Sequence, residues 1–434
     1  MHRTITRRVF LMSSLAAGLG AAGGAAAALP GRRRRKMSPN EKLNIGIIGV
    51  ANQGRFSLDH VRSENIVALC DIDDNYLGAA AKEFPDAKVY NDFRRMLDQK
   101  DIDAVTIATP DHVHAIATMW ALKSGRHVYC EKPLTHDIWE CRQVEREAAK
   151  AKVATQMGTQ IHAGNNYRRV VEILQSGTIG TVKEVHVWVG GAWTGGEGRP
   201  SDTPPVPPNI HWDLWLGPAP ERPYHPAYIP ARWRGWWDFG GGTLADMACH
   251  HMDLSHWAFG LRAPLTVEAD GPPVNPETTP AWLIVRYEYP ARGDQPPITL
   301  TWYHGDKRPH YFEEGILPPW GNGSLFVGDK GMLLADYDRY KLLPEKDFEG
   351  FQPPPKTIPD SIGHHNEWIL ACKTGSPTLC NFDYAGALTE AVLLGNVAYR
   401  TGQKIEWDPK ELRAKNCPEA DQYIRRRYRD GWRF

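Results

Sequence analysis

The sequence lacks an excess of charge of either sign. Its 434 residues include 51 lysines and arginines and 51 aspartates and glutamates, so the formal net charge is zero. A nucleic-acid-binding domain usually carries a basic excess, so the composition argues against such a partner. Hydrophobic residues make up 42% and charged residues 24% of the chain. These are the proportions of a folded globular protein, and they exclude wholesale disorder.

The cysteines lack the clusters that disulfide frameworks and structural zinc sites require. Seven cysteines are scattered along the chain without a Cys-x-x-Cys spacing, at Cys70, Cys130, Cys141, Cys249, Cys372, Cys380 and Cys417. We therefore expect neither a full disulfide framework nor a structural zinc site. One pair, such as Cys372 and Cys380, could still bridge in an oxidising compartment, and the sequence leaves this open.

Long apolar runs are absent except near the N-terminus. Residues 6–11 read Thr-Arg-Arg-Val-Phe-Leu and precede an Ala- and Gly-rich stretch, 13–29, with small residues at 26–28. These features are typical of a twin-arginine export signal. An uncleaved anchor is the alternative, because about 20 apolar residues can span a bilayer, although Ala and Gly make a poor anchor. We predict a signal peptide and basic linker over 1–38, export to the periplasm or beyond, and no membrane contact after cleavage.

Strand and helix patterns alternate in the part that follows. Apolar strand patterns separated by helix patterns occur at 43–49, 65–70, 87–90, 104–108 and 127–130. Alternation with short connections predicts an α/β fold, here a doubly wound parallel sheet in a Rossmann domain over 39–158. Ligands of such sheets bind at the carboxyl ends of the strands.

The first strand runs into Gly49-Val-Ala-Asn-Gln-Gly54, which fits Gly-x-Gly-x-x-Gly except that Ala51 replaces the middle glycine. The glycines permit a tight turn, approach of a pyrophosphate and close helix packing, so one added methyl is tolerable. A helix over 56–62 would direct free N–H groups at the phosphates. Asp71 ends the second strand, where a carboxylate binds the adenosine ribose and would repel a 2′-phosphate. We predict NAD rather than NADP, with the alternative that Asp71 only caps a turn.

Two later motifs carry a resemblance. Glu131-Lys132-Pro133 ends the strand pattern His-Val-Tyr-Cys, and Gly-Gly-Gly-Thr-Leu-Ala-Asp-Met-Ala-Cys-His-His-Met-Asp occupies 240–253. With the glycine loop, they resemble the Gfo/Idh/MocA oxidoreductases, a family that includes glucose–fructose oxidoreductase and inositol dehydrogenase. The resemblance covers 43–405, and some exported members of the family carry twin-arginine signals. It implies an NAD(P)-dependent enzyme that acts on CH–OH groups of sugars or polyols.

The resemblance also implies where the chemistry lies. Lys132 is expected near the nicotinamide and the reacting hydroxyl, with a cis bond to Pro133, and its ammonium can polarise a carbonyl or exchange a proton. His250 is expected to transfer a proton, since histidine titrates near neutrality, and Asp246 to bind or orient the substrate. Both fall on one face of a helix predicted over 243–259. A surface lysine and a buried structural histidine are the alternatives.

The predicted site residues fall into three groups. Cofactor binding is assigned to Gly49, Ala51, Asn52, Gln53, Gly54, Asp71, Thr109, Pro110, His112, His114, Glu131 and Lys132. Substrate binding is assigned to Lys132, Gln160, Asn166, Asp246 and His250, and catalysis to Lys132, Asp246 and His250. No metal is predicted, because the histidines at 250, 251 and 256 lack the His-Glu-x-x-His spacing and the family chemistry requires none.

The rest of the chain has a different pattern. Strand patterns at 182–189, 266–268, 281–289, 298–303, 324–328 and 332–335 predict an open, mainly antiparallel sheet. We assign 159–405 to an α+β substrate-binding domain and 406–434 to a C-terminal tail. A long Pro-, Gly- and Trp-rich insertion, 190–242, is expected to be ordered by packing of its tryptophans. These could wall a sugar cleft, form an oligomer contact or fill the core. The basic tail either wraps a neighbouring subunit or is a solvated end.

The leading hypothesis is an exported oxidoreductase that transfers a hydride between a secondary hydroxyl carbon of a carbohydrate and a tightly held NAD. A homodimer or homotetramer through the second-domain sheet is expected. The alternative is a glycoside hydrolase or lyase that oxidises C3 transiently and eliminates the glycosidic substituent, although a motif associated with that branch is absent. A non-catalytic nucleotide-binding protein is the third hypothesis. The sequence does not identify the sugar; Arg168, Arg232 and Arg234 are the candidates for binding an acidic one.

Overall fold

The structure, a computed structural model, describes residue 38, residues 40–194, residue 196 and residues 198–434. The predicted export signal and linker therefore lie outside the described residues, apart from Ser38. Within the described ranges, no helix is both long and apolar enough to cross a bilayer.

The first domain is built on six parallel strands. They are β1 (Asn44–Ile48), β2 (Asn65–Cys70), β3 (Lys88–Tyr90), β4 (Ala104–Ile107), β5 (His127–Glu131) and β6 (Thr155–Gly158). The helices are α1 (Gln53–Val61), α2 (Asp74–Glu83), α3 (Phe93–Met96), α4 (Asp111–Lys123) and α5 (Ile138–Ala151). The strand order is β3-β2-β1-β4-β5-β6, and every pairing is parallel. This confirms the predicted doubly wound Rossmann sheet.

The strand order reverses between β1 and β4, which places a crevice at the carboxyl ends of these two strands. All four residues of β4 are buried, as expected of a parallel strand covered on both faces. The segments that follow β1, β2, β4 and β5 meet at this edge. They carry the glycine loop, Asp71, Thr109 and Lys132, so the sheet itself brings these groups together.

The second domain contains a nine-stranded sheet. Its strands are β7 (Val182–Val189), β8 (Thr266–Asp270), β9 (Leu283–Tyr289), β10 (Ile298–His304), β11 (Asn322–Gly328), β12 (Met332–Ala335), β13 (Tyr340–Leu343), β14 (Ile405–Asp408) and β15 (Arg413–Ala414). The order is β13-β12-β11-β7-β10-β9-β8-β14-β15. Only β7 and β10 pair in parallel among these strands, which confirms the mainly antiparallel sheet. The last two strands extend this sheet into the segment assigned to the tail.

The helices after the first domain are α6 (Asn165–Gln175), α7 (Trp212–Leu216), α8 (Gly242–His251), α9 (Asp253–Phe259), α10 (His364–Thr374), α11 (Phe382–Thr401) and α12 (Asp421–Ile424). The single helix predicted over 243–259 is thus two helices that meet at Met252. Because of this break, Asp253 begins a new helix; it is fully buried, and its carboxylate lies 2.9 Å from His162 Nδ1. Asp253 therefore takes part in a buried pair.

Two helices fix the second domain to the first. Helix α11 is buried along most of its length and packs against α5, α8 and β8. Helix α10 packs on α1, and its Trp368 and Ile369 share a hydrophobic cluster with Leu43 and Tyr129. All seven cysteines are buried free thiols, including the candidate pair at 372 and 380.

The described residues of the insertion, 190–194, 196 and 198–242, are ordered by aromatic packing, as predicted. Trp212 stacks on Trp215 with ring centroids 4.6 Å apart, and Trp215 belongs to a buried cluster with Trp236 and Phe239. The insertion also reaches the first domain, where the backbone N–H of His211 donates to the Ile72 carbonyl at 2.9 Å. It therefore covers the segment that follows β2.

Candidate active site

A cleft of about 360 Å³ lies between the two domains, within the range of small-molecule sites. The first domain contributes Gly49, Asp71 and Lys132 to its lining, and the second contributes Arg234 and His250. Residues that are distant in sequence therefore meet in one concave site.

The glycine turn at one end of the cleft leaves no room for side chains at its first and third glycines. Gly49 has a φ of +86°, and a Cβ there would lie 2.4 Å from the Ala108 carbonyl oxygen. A Cβ on Gly54 would lie 2.1 Å from the Gly49 carbonyl oxygen. Ala51, at the middle position, lines the cleft. The turn thus allows α1 to start directly against the strand end.

The start of α1 has the features of an anion site. Asn52 precedes the helix with a φ of +51° and makes no side-chain capping bond, and the first turn contains no acidic residue. Its N–H groups and positive dipole end are suited to a pyrophosphate. Asp71 lines the same cleft, and its two oxygens accept the N–H groups of Val50 (2.9 Å) and Asp73 (3.0 Å). The donor set and the oriented carboxylate fit an NAD molecule.

Glu131 connects the glycine loop to the second domain. Its carboxylate accepts hydrogen bonds from Gln53 Nε2 (3.2 Å), Ser57 Oγ (3.1 Å) and Gln160 Nε2 (2.9 Å). Burial raises the pKa of Glu131, while these donors oppose the rise. A Cβ on Gly158 would lie 2.4 Å from this carboxylate. Gln160 therefore lines the cleft and also positions Glu131.

Asp246 holds the Lys132 ammonium. Lys132 Nζ donates to Asp246 Oδ1 at 2.6 Å and to its backbone carbonyl at 2.7 Å. Arg234 Nε lies 3.1 Å from Oδ1, and Trp193 Nε1 donates to Oδ2 at 2.7 Å. Burial opposes ionisation of Asp246, but the Lys132 and Arg234 cations outweigh it and hold the pKa of this carboxyl well below its usual range. Asp246 lies behind the cleft lining and reaches the cleft through Lys132.

His250 lines the cleft from the second domain. Burial lowers the pKa of this imidazole well below its usual value, and the nearby Lys132 and His251 lower it further. The ring is therefore neutral near pH 7, which is the form that can accept a proton.

Asp111 is a cleft residue without a predicted role. It is the first residue of α4, only 4% exposed, and it accepts a hydrogen bond from the Gly241 backbone. Burial raises its pKa to about 8; the Asp246 charge adds to the rise, and Arg234 and Lys132 oppose it. It thus carries a proton at neutral pH. Its position directly after a strand-end Thr-Pro was the signal that could have found it.

The predicted histidines take different places. His114 lines the cleft, with Nδ1 2.7 Å from the Pro133 carbonyl and Nε2 2.8 Å from the Thr109 carbonyl. The Lys132–Pro133 bond is cis, as the resemblance implied. His112 lies outside the cleft lining, between the carbonyls of Trp215 (2.8 Å) and Phe239 (3.3 Å).

Some of the remaining predicted residues line the cleft, and others lie outside its lining. Pro110, with Thr109, Asn52 and Gln53, lines the cleft. Asn166 lies outside its lining and donates to the Asp336 carbonyl at 3.0 Å. Of the three arginines considered for an acidic sugar, Arg234 lines the cleft. Arg168 is buried and paired with Glu367 at 2.5 Å, and residue 232 is exposed.

Two family models match the chain, and together they cover more than half of it. Residues 43–159 match the Gfo/Idh/MocA oxidoreductase family, NAD-binding Rossmann fold, and residues 165–318 match the family's C-terminal alpha/beta domain.

Curated relatives match parts of the chain of different length. Inositol 2-dehydrogenase from Salmonella paratyphi B is 32% identical over 153 residues, which are 33% of this chain and 45% of that protein. The chain therefore spans less than half the length of this relative. The uncharacterized oxidoreductase YrbE from Bacillus subtilis is 23% identical over 312 residues, 69% of this chain and 75% of that protein.

Solved structures share the fold. The WlbA dehydrogenase from Bordetella pertussis, in complex with NADH and UDP-GlcNAcA, aligns with a TM-score of 0.60 at 19% identity, over 85% of this chain and 99% of that one. The two family models, together with the glycine-turn cleft, lead to one conclusion: the chain belongs to the Gfo/Idh/MocA oxidoreductase family, with an NAD-binding Rossmann domain over residues 43–159.

Proposed function

We propose that this protein is an NAD-dependent oxidoreductase that transfers a hydride between a secondary hydroxyl carbon of a sugar or polyol and the cofactor. The observation that carries the proposal is that Lys132 from one domain and a neutral His250 from the other line the same cleft, which begins at the glycine turn. The inositol dehydrogenases among its relatives and a structural neighbour with a UDP-sugar support this substrate class.

When bound, the nicotinamide accepts or returns the hydride. The Lys132 ammonium donates a hydrogen bond to the substrate oxygen and stabilises negative charge on it. The neutral His250 accepts the hydroxyl proton during oxidation and returns it during reduction. Asp246 acts as a positioning residue, because its contacts fix the ammonium of Lys132. Asp71 accepts hydrogen bonds from the adenosine ribose.

The proposal includes export and cofactor retention. The paired arginines at 7 and 8 and the Ala-rich stretch after them support a twin-arginine route, on which a folded protein would carry its NAD along. Because free NAD is scarce outside the cytoplasm, the cofactor would be recycled in place by two substrates in turn. We further propose that the protein forms a homo-oligomer through the nine-stranded sheet. Light scattering on the purified protein would measure its molar mass and hence the number of subunits.

The experiment supplies purified protein with NAD and a panel of polyols, sugars and glycosides, then follows NADH absorbance and identifies the products. Ketosugar formation supports the proposal, whereas a free aglycone without a ketosugar product supports the hydrolase or lyase alternative. Lys132→Ala and His250→Ala should each lower kcat at least about 100-fold. Lys123→Ala and His310→Ala, at exposed positions, are matched controls that should keep activity. Full turnover by both cleft variants would contradict the assignment.

A further inference from the structure

The last ten residues, 425–434, fold back onto the first domain. We call this segment the C-terminal strap. Arg426 Nη2 donates to Glu140 Oε1 and to the His112 carbonyl, each at 2.6 Å. Tyr428 Oη donates to the same Glu140 oxygen at 2.5 Å. Glu140 is fully buried, so these bonds satisfy a charge that would otherwise be strongly unfavourable in the interior.

The strap is also attached to the insertion of the second domain. Arg429 Nη1 lies 2.5 Å from Asp213 Oδ1, and its Nη2 donates to the Asp213 carbonyl at 2.8 Å. Its Nε donates to the Gly217 carbonyl at 3.1 Å. The strap therefore bridges the first domain and the insertion by contacts within one chain, so this part of the tail is not a solvated end.

These attachments bring Trp432 into the cleft. The side chain is 5% exposed and is part of the cleft lining together with Asp71, Asn91 and Phe93. Its ring centroid lies 6.0 Å from that of Phe93, and the Arg94 guanidinium lies 4.2 Å from it. Asn91 Nδ2 donates to the Asp71 carbonyl at 3.0 Å. Trp432 thus belongs to the end of the cleft where Asp71 would hold the adenosine ribose.

We propose that Trp432 is a cofactor-binding residue for the adenosine half of NAD, and that the C-terminal strap retains the bound dinucleotide. This inference rests on the proposed function, because it requires NAD in the cleft. The indole ring lies near Asp71, the carboxylate proposed to bind the ribose, and offers the adenine a π surface. Stacking of a base on an aromatic side chain contributes strongly to binding, whichever base is bound. Both family models end before the strap, since the second stops at residue 318. The contact therefore lies outside the residues that the two family models match.

The strap should also slow the release of NAD from the cleft. Dissociation of the adenosine half past Trp432 requires the strap to move, and this movement breaks the Arg429 contacts with the insertion or the Arg426 contacts with Glu140. Both contact sets are charge-assisted, and the second is largely shielded from water. We therefore expect the strap to lower the rate of NAD dissociation as well as the dissociation constant.

The test compares the full-length protein with three variants. Trp432→Leu keeps a buried apolar side chain without an indole, Trp432→Phe keeps an aromatic ring, and Arg433→Ala changes an exposed neighbour. Calorimetry measures Kd for NAD, ADP-ribose and nicotinamide mononucleotide, and a rapid chase measures NAD release. Trp432→Leu should raise Kd for NAD and ADP-ribose roughly tenfold or more and speed release. Its Kd for nicotinamide mononucleotide should not change, and Trp432→Phe should restore most of the affinity.

Several results would overturn the inference. One is wild-type affinity and release of NAD by Trp432→Leu; another is an equal loss of all three ligands, which would show a merely structural role. If the unmodified protein, after removal of any co-purified nucleotide, binds neither NAD nor ADP-ribose, the proposed function itself fails. Should Trp432→Leu not fold, hydrogen exchange on the unmodified protein decides: ADP-ribose should protect the amides of 425–434, and nicotinamide mononucleotide should not. Absence of that protection contradicts the inference.

Discussion

The buried carboxyl of Asp111 makes protein stability depend on pH in a way that tests the charge arrangement of the cleft. Its pKa is raised to about 8, first by burial and then by the Asp246 charge, whereas an aspartate in an unfolded chain titrates near a pH of about 3.9. Between these values the native state binds one more proton than the unfolded state. The free energy of unfolding therefore falls as pH rises, by about 1.4 kcal/mol per pH unit.

The substitution Asp111→Asn removes this titration while it keeps the size of the side chain and an acceptor for Gly241. Between roughly pH 5.5 and 7.5, the wild type should lose about 2.7 kcal/mol of stability relative to the variant. Other titrating groups are common to both proteins and largely cancel in the difference. The loss should level off above a pH of about 8, where the native carboxyl ionises.

The assay is urea unfolding of both proteins without NAD, in one buffer series from acid to mildly alkaline pH. The measured quantity is the difference in the free energy of unfolding at each pH. A difference that stays constant within about 0.5 kcal/mol would show that Asp111 is already ionised in the native state. The neutral acid beside Lys132 would then be refuted, whatever the absolute stability of the two proteins.

Two further predictions concern the ion pair of Lys132 with Asp246 and the close backbone contact in the glycine turn. Asp246→Asn leaves the Lys132 ammonium without its anionic partner, so we expect about 3 kcal/mol of destabilisation in urea unfolding, and a lower kcat with a shifted pH profile in steady-state assays. An unchanged pH profile would argue against the positioning role. Gly54→Ala places a methyl 2.1 Å from the Gly49 carbonyl, so it should lower the melting temperature and abolish NAD retention, measured as nucleotide released on denaturation. Ala51→Gly is its matched control and should bind NAD at least as tightly as the wild type.

The first domain was largely predictable because its central strands β1, β4 and β5 are almost wholly buried. Such strands are continuous apolar runs, so the pattern at 43–49 overlaps β1 and the pattern at 104–108 overlaps β4. Weak strands were not predictable on the same basis. The strands β13, β14 and β15 have two to four residues each, and β14 and β15 are half polar, so they do not form an apolar run. The break at Met252 was not predictable, because no glycine or proline marks it and methionine itself is a good helix former.

The residues of the candidate site also differ in how far the sequence predicts them. Gly49, Asp71, Lys132 and His250 belong to motifs with a fixed local structure, and all four line the cleft. Trp432 lies in the tail, a segment without hydrophobic periodicity, so its place depends on tertiary contacts. Polar residues near motifs were also ambiguous, since a side chain that can bind a hydroxyl can equally bind a protein carbonyl, as Asn166 does. Spacing alone does not distinguish these partners.

Asp246 connects the proposed reaction to the folding of the insertion. Its carboxylate accepts hydrogen bonds from Lys132 at the end of β5, from Arg234 near the C-terminal end of the insertion and from Trp193 near its start. Trp193 is 40% exposed, so its bond is the one most open to competition from water. Both ends of the insertion therefore help to orient the carboxylate that holds the ammonium of Lys132. Changes in the insertion that never touch substrate should consequently act through Lys132, and lower kcat more than they raise KM.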